Sequence, residues 1–274
     1  MANVTLLLTN GTGNYLRVEQ DKADPSNTLY LGDKNEIFLN NGTADYLLAD
    51  DLSFSKGFCQ ISCNEIIVLD YSCLKKIDRS TGNVSKFSGE CRNPTNLDLK
   101  LPTEVVIDKM NRSQLLVADS KTVKSVELAT GKVGNIAKMA QTMVSERWIF
   151  WGLAQTENGD IYLVNGVAIF KAGYFSGSIV LVAGSPLLLS GSTDGSLAES
   201  TFGGMFDIEL ITPHAVLVAD YGSKRIRLVD FIADEVTSID FCPGLPSDCV
   251  PYSLSMAYDT LYIGTNDILI LPCK

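Results

Sequence analysis

The hydrophobic and polar positions of this chain follow a short pattern that recurs six times. Each copy has five residues. The first four are mostly apolar, as in a buried strand, and the fifth is polar and usually Asp. The copies occupy residues 29–33, 66–70, 115–119, 161–165, 216–220 and 261–265. Their last positions are 37, 49, 46, 55 and 45 residues apart, so the chain is built from repeats of similar length.

Each repeat has the same predicted order of strands. An apolar strand precedes the five-residue phrase, as at residues 151–155, and an alternating strand follows it, as at residues 224–229. A turn and a short outer strand complete the unit, as at residues 236–239. Helical periodicity is weak and no linker interrupts the pattern. Four short strands in about 40–50 residues predict a blade of a β-propeller. We therefore expect one all-β domain over residues 1–274, with six four-stranded antiparallel blades.

The first and last residues are predicted to share one blade. The sixth repeat breaks off after residues 268–271 and lacks an outer strand. Residues 3–9 resemble the outer strand at 83–87, since both begin with Asn-Val and a hydroxyl residue. Pairing of residues 3–9 with the last repeat would remove an exposed sheet edge. A signal-peptide remnant fits less well, because no basic segment precedes the apolar run and the run is short.

The fifth repeat resembles the NHL repeat. The resemblance rests on an ordered set of elements at residues 182–184 (VAG), 191–195 (GSTDG), Ala198, Phe202, 217–220 (LVAD) and 224–227 (KRIR). The other repeats match through the VAD-like phrase and the strand after it. The resemblance implies a six-bladed propeller with a central channel. It implies little about activity, because this fold carries many unrelated functions.

Charge and hydropathy bear on which kinds of partner this chain could bind and on whether it spans a membrane. The 22 basic and 32 acidic residues give a net charge of −10, which disfavours a nucleic-acid partner. The one compact basic cluster, residues 224–227, is interpreted as a solvated strand face. No apolar run reaches the roughly 18–20 residues that span a bilayer. We expect no transmembrane segment in this chain and a monomeric domain.

The seven cysteines indicate disulfides. They stand at positions 59, 63, 73, 91, 242, 249 and 273, without a CxxC pair. Three pairs bracket predicted turns, and for Cys73 and Cys91, nine residues on either side of Gly82, antiparallel pairing would bring the Cβ atoms together. The predicted pairs are Cys59–Cys63, Cys73–Cys91 and Cys242–Cys249, which leaves Cys273 free or bonded outside the domain. The alternative is a set of reduced, buried thiols.

Five Asn-X-Ser/Thr sequons indicate the same compartment. They begin at Asn3, Asn10, Asn41, Asn83 and Asn111. The last three fall at predicted hairpin tips, where a glycan would be exposed, although Asn also favours turns for its own sake. Cysteines and sequons together favour an extracellular or cell-surface glycoprotein, such as the ectodomain of a longer receptor. A cytoplasmic protein is the alternative.

Catalytic chemistry has little support in the sequence. The only histidine, His214, follows Pro213 in a predicted surface turn, which leaves no Ser–His–Asp set and excludes a several-histidine zinc site such as that of the amidating lyase. Lactonase-type propellers use carboxylates and amides, often with calcium. Such residues abound here without a diagnostic spacing. The repeated polar residues at phrase ends are predicted to fix turns; they are Asp33, Asp70, Asp119, Asn165 and Asp220.

A stretch between two repeats is the predicted partner-binding site. Arg147, Trp148 and Trp151 lie where one blade passes to the next, and Trp and Arg are enriched in binding hot spots. Packing between blades is the alternative role. The sequence thus favours a non-catalytic extracellular module, without cofactor, that binds a protein or carbohydrate through one face. Two alternatives remain: a calcium-assisted hydrolase or lyase of the lactonase or strictosidine-synthase-like type, and an intracellular scaffold.

Overall fold

The computed structural model describes residues 5–7, 15–32, 34–53, 55–91, 98–140, 149–185, 187–239, 241, 249–265 and 268–272. These residues form six four-stranded antiparallel sheets. In five sheets the strands follow the order of the chain, and the sixth combines the last three strands with the first. The six five-residue phrases coincide with the second strands of the six sheets, as the repeat predicts.

The chain divides into two compact units, Met1–Val105 with Tyr252–Lys274 (unit 1) and Val106–Pro251 (unit 2). The single domain expected over residues 1–274 stays a prediction. Sheet 1 contains β2 (Tyr15–Gln20), β3 (Thr28–Gly32), β4 (Ile37–Asn40) and β5 (Asp45–Ala49). Sheet 2 contains β6 (Ser55–Gln60), β7 (Glu65–Asp70), β8 (Cys73–Asp78) and β9 (Asn83–Gly89). Sheet 6 contains β22 (Ser253–Ala257), β23 (Thr260–Gly264), β24 (Ile268–Pro272) and β1 (Thr5–Leu7).

Unit 2 contains the other three sheets, apart from the start of β10. Sheet 3 contains β10 (Pro102–Ile107), β11 (Gln114–Asp119), β12 (Thr122–Glu127) and β13 (Val133–Lys138). Sheet 4 contains β14 (Gly152–Gln155), β15 (Asp160–Val164), β16 (Ile169–Gly173) and β17 (Ile179–Ala183). Sheet 5 contains β18 (Met205–Thr212), β19 (Ala215–Asp220), β20 (Arg225–Asp230) and β21 (Glu235–Ile239).

The second strands are apolar throughout because both faces of their sheets are buried. In β15, Ile161 and Leu163 join one core cluster with sheet 3, whereas Tyr162 and Val164 join another with sheet 5. Successive side chains of a strand point to opposite faces, so a strand covered on both sides needs a continuous apolar run. Sheets 1 and 2 enclose a comparable cluster within unit 1.

The first strand in sequence lies at the outer edge of the last sheet. β1 pairs antiparallel with β24, and Leu6 lies opposite Leu269. This pairing covers residues 5–7 of the segment 3–9 that was expected to complete the sixth blade. Closure of the propeller by this strand stays a prediction.

The cysteines confirm one expected pair and exclude another. Cys73 and Cys91 form a disulfide with their Cα atoms 4.6 Å apart. The Cys59–Cys63 pair is wrong, because both thiols are free. Cys59 is buried on β6 opposite Ile67, while Cys63 lies in the exposed turn beyond the end of that strand.

The remaining cysteines lie at the edge of what the structure describes. Cys249 is disulfide-bonded. Its predicted partner Cys242, and also Cys273, lie outside the described residues, so the pair Cys242–Cys249 stays a prediction.

Candidate functional site

Three aromatic rings of unit 2 form a row at one end of sheets 4 and 5. We call the end of a sheet where its second strand turns into its third the BC end; the other two hairpins lie at the opposite, AB/CD end. Trp151 precedes β14, Phe206 lies at the start of β18, and Tyr221 follows β19 directly. All three positions are at BC ends. We call Trp151, Phe206 and Tyr221 the aromatic row.

The rings of the aromatic row are held edge to face. The ring centroids of Trp151 and Phe206 are 5.4 Å apart, and those of Phe206 and Tyr221 are 5.0 Å apart, with an interplanar angle of 74° in both pairs. This geometry is favoured because the positive edge of one ring meets the negative face of the next. Trp151 and Phe206 are half-buried, and Tyr221 is 38% exposed. The row therefore presents an apolar surface to solvent, built from the exposed parts of three rings in contact.

Close backbone contact positions the row. A Cβ atom on Gly222 would lie 2.4 Å from the carbonyl oxygen of Gly203, and one on Gly203 would lie 2.8 Å from the nitrogen of Ser223. Only glycine permits this approach, which places the segment before Phe206 against the turn that contains Tyr221. The carboxylate of Asp220 completes the corner, since its Oδ1 accepts hydrogen bonds from the nitrogens of Gly203 (2.9 Å) and Gly204 (3.0 Å).

The buried side chain of Arg227 forms hydrogen bonds to the residues of the same corner. Arg227 donates five hydrogen bonds, to Asp194, Asp220 and two backbone carbonyls, so each N–H of its guanidinium has an acceptor. Its guanidinium carbon also lies 5.0 Å from the centroid of the Phe202 ring. The interpretation of residues 224–227 as a solvated face is wrong at Arg227, which is fully buried, although Arg225 is exposed.

The electrostatics of this corner favour the charged form of Asp194. Burial raises the pKa of Asp194. Hydrogen bonds from Ser238, together with the charge and hydrogen bonds of Arg227, outweigh burial and leave that pKa below its ordinary value. The shift is consistent with an ionised Asp194 that holds the loop before β18 in place.

The predicted partner-binding residues are only partly described. Arg147 and Trp148 lie outside the described residues. Trp151 is half-buried, packs on the core between sheets 4 and 5, and contacts Phe206. Sequence reasoning missed Phe206 and Tyr221. The missed signal is the position after the five-residue phrase, where Tyr71 (50% exposed) and Tyr221 both place an aromatic ring in solvent.

The polar residues at the phrase ends bind backbone nitrogens. Asp70 accepts a hydrogen bond from the nitrogen of Ser53 (3.0 Å), and Asn165 accepts from those of Val167 (3.2 Å) and Ala168 (3.0 Å). Asp119 is buried at the end of β11. Asp33 lies outside the described residues. The described members of this set thus lie at turns.

Unit 1 contains a second concentration of buried charge, on the first strands of sheets 1 to 3. Arg17 of β2 donates to Glu104 of β10 over 3.4 Å, and the side chains are 8% and 6% exposed. Gly57 of β6 makes room, since a Cβ atom there would lie 3.3 Å from Oε1 of Glu104. Burial raises the pKa of nearby Cys59 to about 12, and Glu19 contributes. This thiol is therefore a weak nucleophile at neutral pH.

The sequence also raised the questions of a metal site, a histidine-based site and a membrane-spanning segment. Within the described ranges, no group of three His, Cys, Asp or Glu side chains is close enough to hold a metal ion. The prediction that His214 is exposed in a turn is confirmed. Over the same part of the chain, no helix has the length and apolar character needed to cross a membrane.

The predicted glycosylation sites that can be placed are exposed. Asn41 and Asn83 lie at the third-to-fourth strand connections of sheets 1 and 2, and Asn111 lies at the first-to-second connection of sheet 3. Each is therefore at the AB/CD end of its own sheet. Asn3 and Asn10 lie outside the described residues. Glycosylation of these sites stays a prediction.

Comparison with solved structures shows the fold. An auxiliary nutrient binding protein from Bacteroides thetaiotaomicron has a TM-score of 0.77 at 12% identity, over 98% of this chain and 75% of that one. The chain has the fold of a six-bladed β-propeller. A gluconolactonase from Xanthomonas campestris shares this propeller fold with a TM-score of 0.72 at 12% identity, over 99% and 89% of the two chains.

A third similar propeller is the extracellular domain of a Bacteroides thetaiotaomicron protein. Its TM-score is 0.64 at 11% identity, over 99% of this chain and 40% of that one. No protein-family model matches the chain. No curated protein matches it either. At such low identities the likeness extends to the fold alone.

Proposed function

We propose that this chain is an NHL-type propeller that acts as a non-catalytic recognition module of an extracellular protein. It binds a protein or carbohydrate partner through the BC ends of sheets 4 and 5. The aromatic row carries the proposal, because three rings held together at a sheet end form an apolar surface around Tyr221. Arg147 and Trp148, which precede Trp151 in the chain, are assigned to the same site.

The aromatic row suits recognition because it is organised before a partner arrives. Asp220 and the contact between Gly203 and Gly222 hold the backbone before Phe206 against the turn on either side of Tyr221. Rings that are already ordered lose little conformational entropy on binding, so more of the interaction energy appears as affinity. Trp and Tyr are also the residue types that most often dominate binding energy.

The extracellular assignment rests on the disulfide and the sequons. A disulfide such as Cys73–Cys91 persists in an oxidising compartment, whereas disulfides are rare in the cytosol. Asn41, Asn83 and Asn111 are exposed acceptors, as a glycan requires. The similarity to an extracellular domain agrees with this location. The location is proposed together with the function.

The site is tested with Tyr221→Ala and Trp151→Ala. Tetramers of the purified domain are titrated on a glycan array and on intact animal cells, in parallel with thermal unfolding. Loss of a central aromatic anchor should weaken binding by about tenfold or more. Tyr221→Ala should lower Tm by only a few degrees, since it removes one edge-to-face contact worth about 0.5–1.5 kcal/mol. Binding to the array identifies a carbohydrate partner, whereas binding to cells alone identifies a protein.

Tyr258→Ala is the matched control, because Tyr258 is 86% exposed in a turn at the AB/CD end of sheet 6. Its affinity should equal that of the unmodified domain. Equal binding by all three variants would exclude the aromatic row as the site.

A further inference from the structure

A groove in unit 1 separates the outer strand of sheet 1 from the outer hairpin of sheet 2. Its volume is about 290 Å³, close to the lower limit of roughly 300 Å³ for small-molecule sites. The wall on one side is β5 and the residues after it, and the wall on the other is the start of β9. The lining residues are Leu47, Leu48, Ala49, Asp50, Asp51, Gly82, Asn83 and Val84.

The outer strand beside this groove carries exposed apolar side chains. Leu47 lines the groove and is 50% exposed, and Tyr46, which precedes it on β5 outside the groove lining, is 52% exposed. Outer strands normally carry charged residues, because an apolar edge invites association with other chains. We therefore expect another group to cover this edge.

The other wall carries a glycosylation sequon. Asn83, Val84 and Ser85 form the sequon, and Asn83 is exposed at the first position of β9. Among the described residues, none forms a hydrogen bond with the Asn83 side-chain amide. Asn111 differs, because its Oδ1 accepts hydrogen bonds from the backbone nitrogen (3.2 Å) and the hydroxyl (2.7 Å) of Ser113 in a turn. Asn83 alone lines the groove with an available Nδ2.

We propose that Asn83 carries an N-linked glycan whose first sugars lie in this groove and cover β5. The inference rests on the proposed extracellular location. A bond forms between Nδ2 of Asn83 and the anomeric carbon of a lipid-diphosphate-linked oligosaccharide. The bond from that carbon to the diphosphate oxygen breaks, its electron pair leaves with the lipid diphosphate, and one amide proton passes to a base.

The groove has the chemistry that a sugar needs. The apolar face of a pyranose ring can pack on Leu47, which removes apolar surface from water. Asp50 and Asp51 are exposed at the groove, and their carboxylates accept hydrogen bonds from sugar hydroxyls. Among the described residues, no Lys or Arg side chain forms an ion pair with either carboxylate. Covalent attachment at Asn83 makes this contact intramolecular, so weak interactions suffice to keep the groove occupied.

The test uses the full chain secreted from animal cells and a time course of native digestion by an N-glycosidase. Site-resolved mass spectrometry should find Asn83 glycosylated and released about tenfold more slowly than Asn111, as expected for a linkage protected by packing. Denaturation should make the two rates equal. Leu47→Ser should speed release at Asn83 and leave Asn111 unchanged.

The control variant is Leu187→Ser, which changes a 79% exposed leucine in unit 2 and should alter neither rate. An unoccupied Asn83 beside occupied Asn41 and Asn111 would overturn the inference and leave the extracellular location standing. Equal native rates would overturn the packing of the glycan in the groove. A secreted chain without any glycan would overturn both the inference and the evidence for location drawn from sequons.

Discussion

The guanidinium of Arg227 in unit 2 forms ion pairs with two carboxylates. Arg227 lies between Asp194 (2.7 Å) and Asp220 (3.1 Å), and neither Arg227 nor Asp220 has an exposed side chain. A buried charge is tolerated when its partners satisfy every hydrogen bond, and it becomes costly when one partner is lost. The corner beneath the aromatic row therefore depends on a single side chain.

We expect Arg227→Leu to lower the free energy of unfolding by about 3–5 kcal/mol, because it leaves the buried Asp220 carboxylate without its counter-ion. Urea unfolding followed by tryptophan fluorescence measures the change. Arg225→Leu is the control, since Arg225 is exposed and should cost under about 0.5 kcal/mol. Similar losses for both variants would mean that the buried pair has no special role.

The charge on Asp194 predicts a dependence on pH. Its pKa in the folded chain lies below the ordinary value of 3.8, so the carboxylate stabilises the fold above that value. This stability is lost as the pH falls through the lowered pKa. The stability difference between the unmodified chain and Asp194→Asn should therefore be constant above about pH 5 and shrink below about pH 4. Thermal unfolding from pH 2 to 7 measures it, and a constant difference would contradict it.

The sequence predicted strands better than it predicted these individual side chains. The alternation at residues 224–229 predicts a half-exposed strand, and the structure places a strand there. Burial does not alternate along it, however, because Ile226, Arg227 and Val229 are all buried. The alternation cannot separate Arg225 from Arg227. The acceptors that allow Arg227 to be buried come from Asp194 and the loop that leads to β18, more than 25 residues earlier in the chain. Only the folded loop brings them together.

At the scale of elements, the Cys73–Cys91 disulfide of the hairpin of β8 and β9 was predicted correctly, but from an incomplete argument. Symmetry about Gly82 places Cys73 directly opposite Cys91, but Cys73 pairs in register with Gly89. A bulge in the strand pair shifts the register, and Gly89, with φ of +76°, turns the chain so that Cys91 reaches Cys73. Bulges are fixed by packing against neighbouring strands, which the local sequence does not reveal.

The Cys73–Cys91 bond closes a loop with a separation of 18 residues. Loop-closure entropy predicts that its loss costs about 3 kcal/mol. The double variant Cys73→Ala, Cys91→Ala should accordingly unfold at lower urea concentration with a similar m value. Cys63→Ser should behave like the unmodified chain, because Cys63 is exposed and unpaired. A double variant as stable as the unmodified chain would contradict the predicted contribution.

At the scale of the whole molecule, the contribution of the N-terminal strand can be measured by truncation. Removal of residues 1–9 deletes β1 and exposes β24 as a sheet edge. A loss of about 2 kcal/mol would lower Tm by about 4–8 °C and favour aggregation. Removal of residues 1–3 keeps β1 and should leave Tm unchanged. Equal Tm values for both truncations would exclude closure by this strand.

The repeat allowed the six sheets to be predicted because each second strand is buried on both faces, as Tyr162 and Leu163 show. The aromatic row was only partly predictable. Trp151 stood out by residue type, whereas Phe206 and Tyr221 join it through the contact between Gly203 and Gly222. That contact joins the segment before β18 to the turn after β19, and no local pattern in the sequence encodes it.

The division of the chain into two units has a consequence for its synthesis. Unit 2 is one continuous stretch, Val106–Pro251, whereas unit 1 combines Met1–Val105 with Tyr252–Lys274. A ribosome therefore delivers all of unit 2 before the last segment of unit 1 exists. The first segment of unit 1 ends at residue 105, so residues 106–274 are made after it, which takes about 8–34 seconds at roughly 5–20 residues per second. During this interval the core of the early sheets of unit 1 is incomplete, so we expect chaperones to bind them during translation.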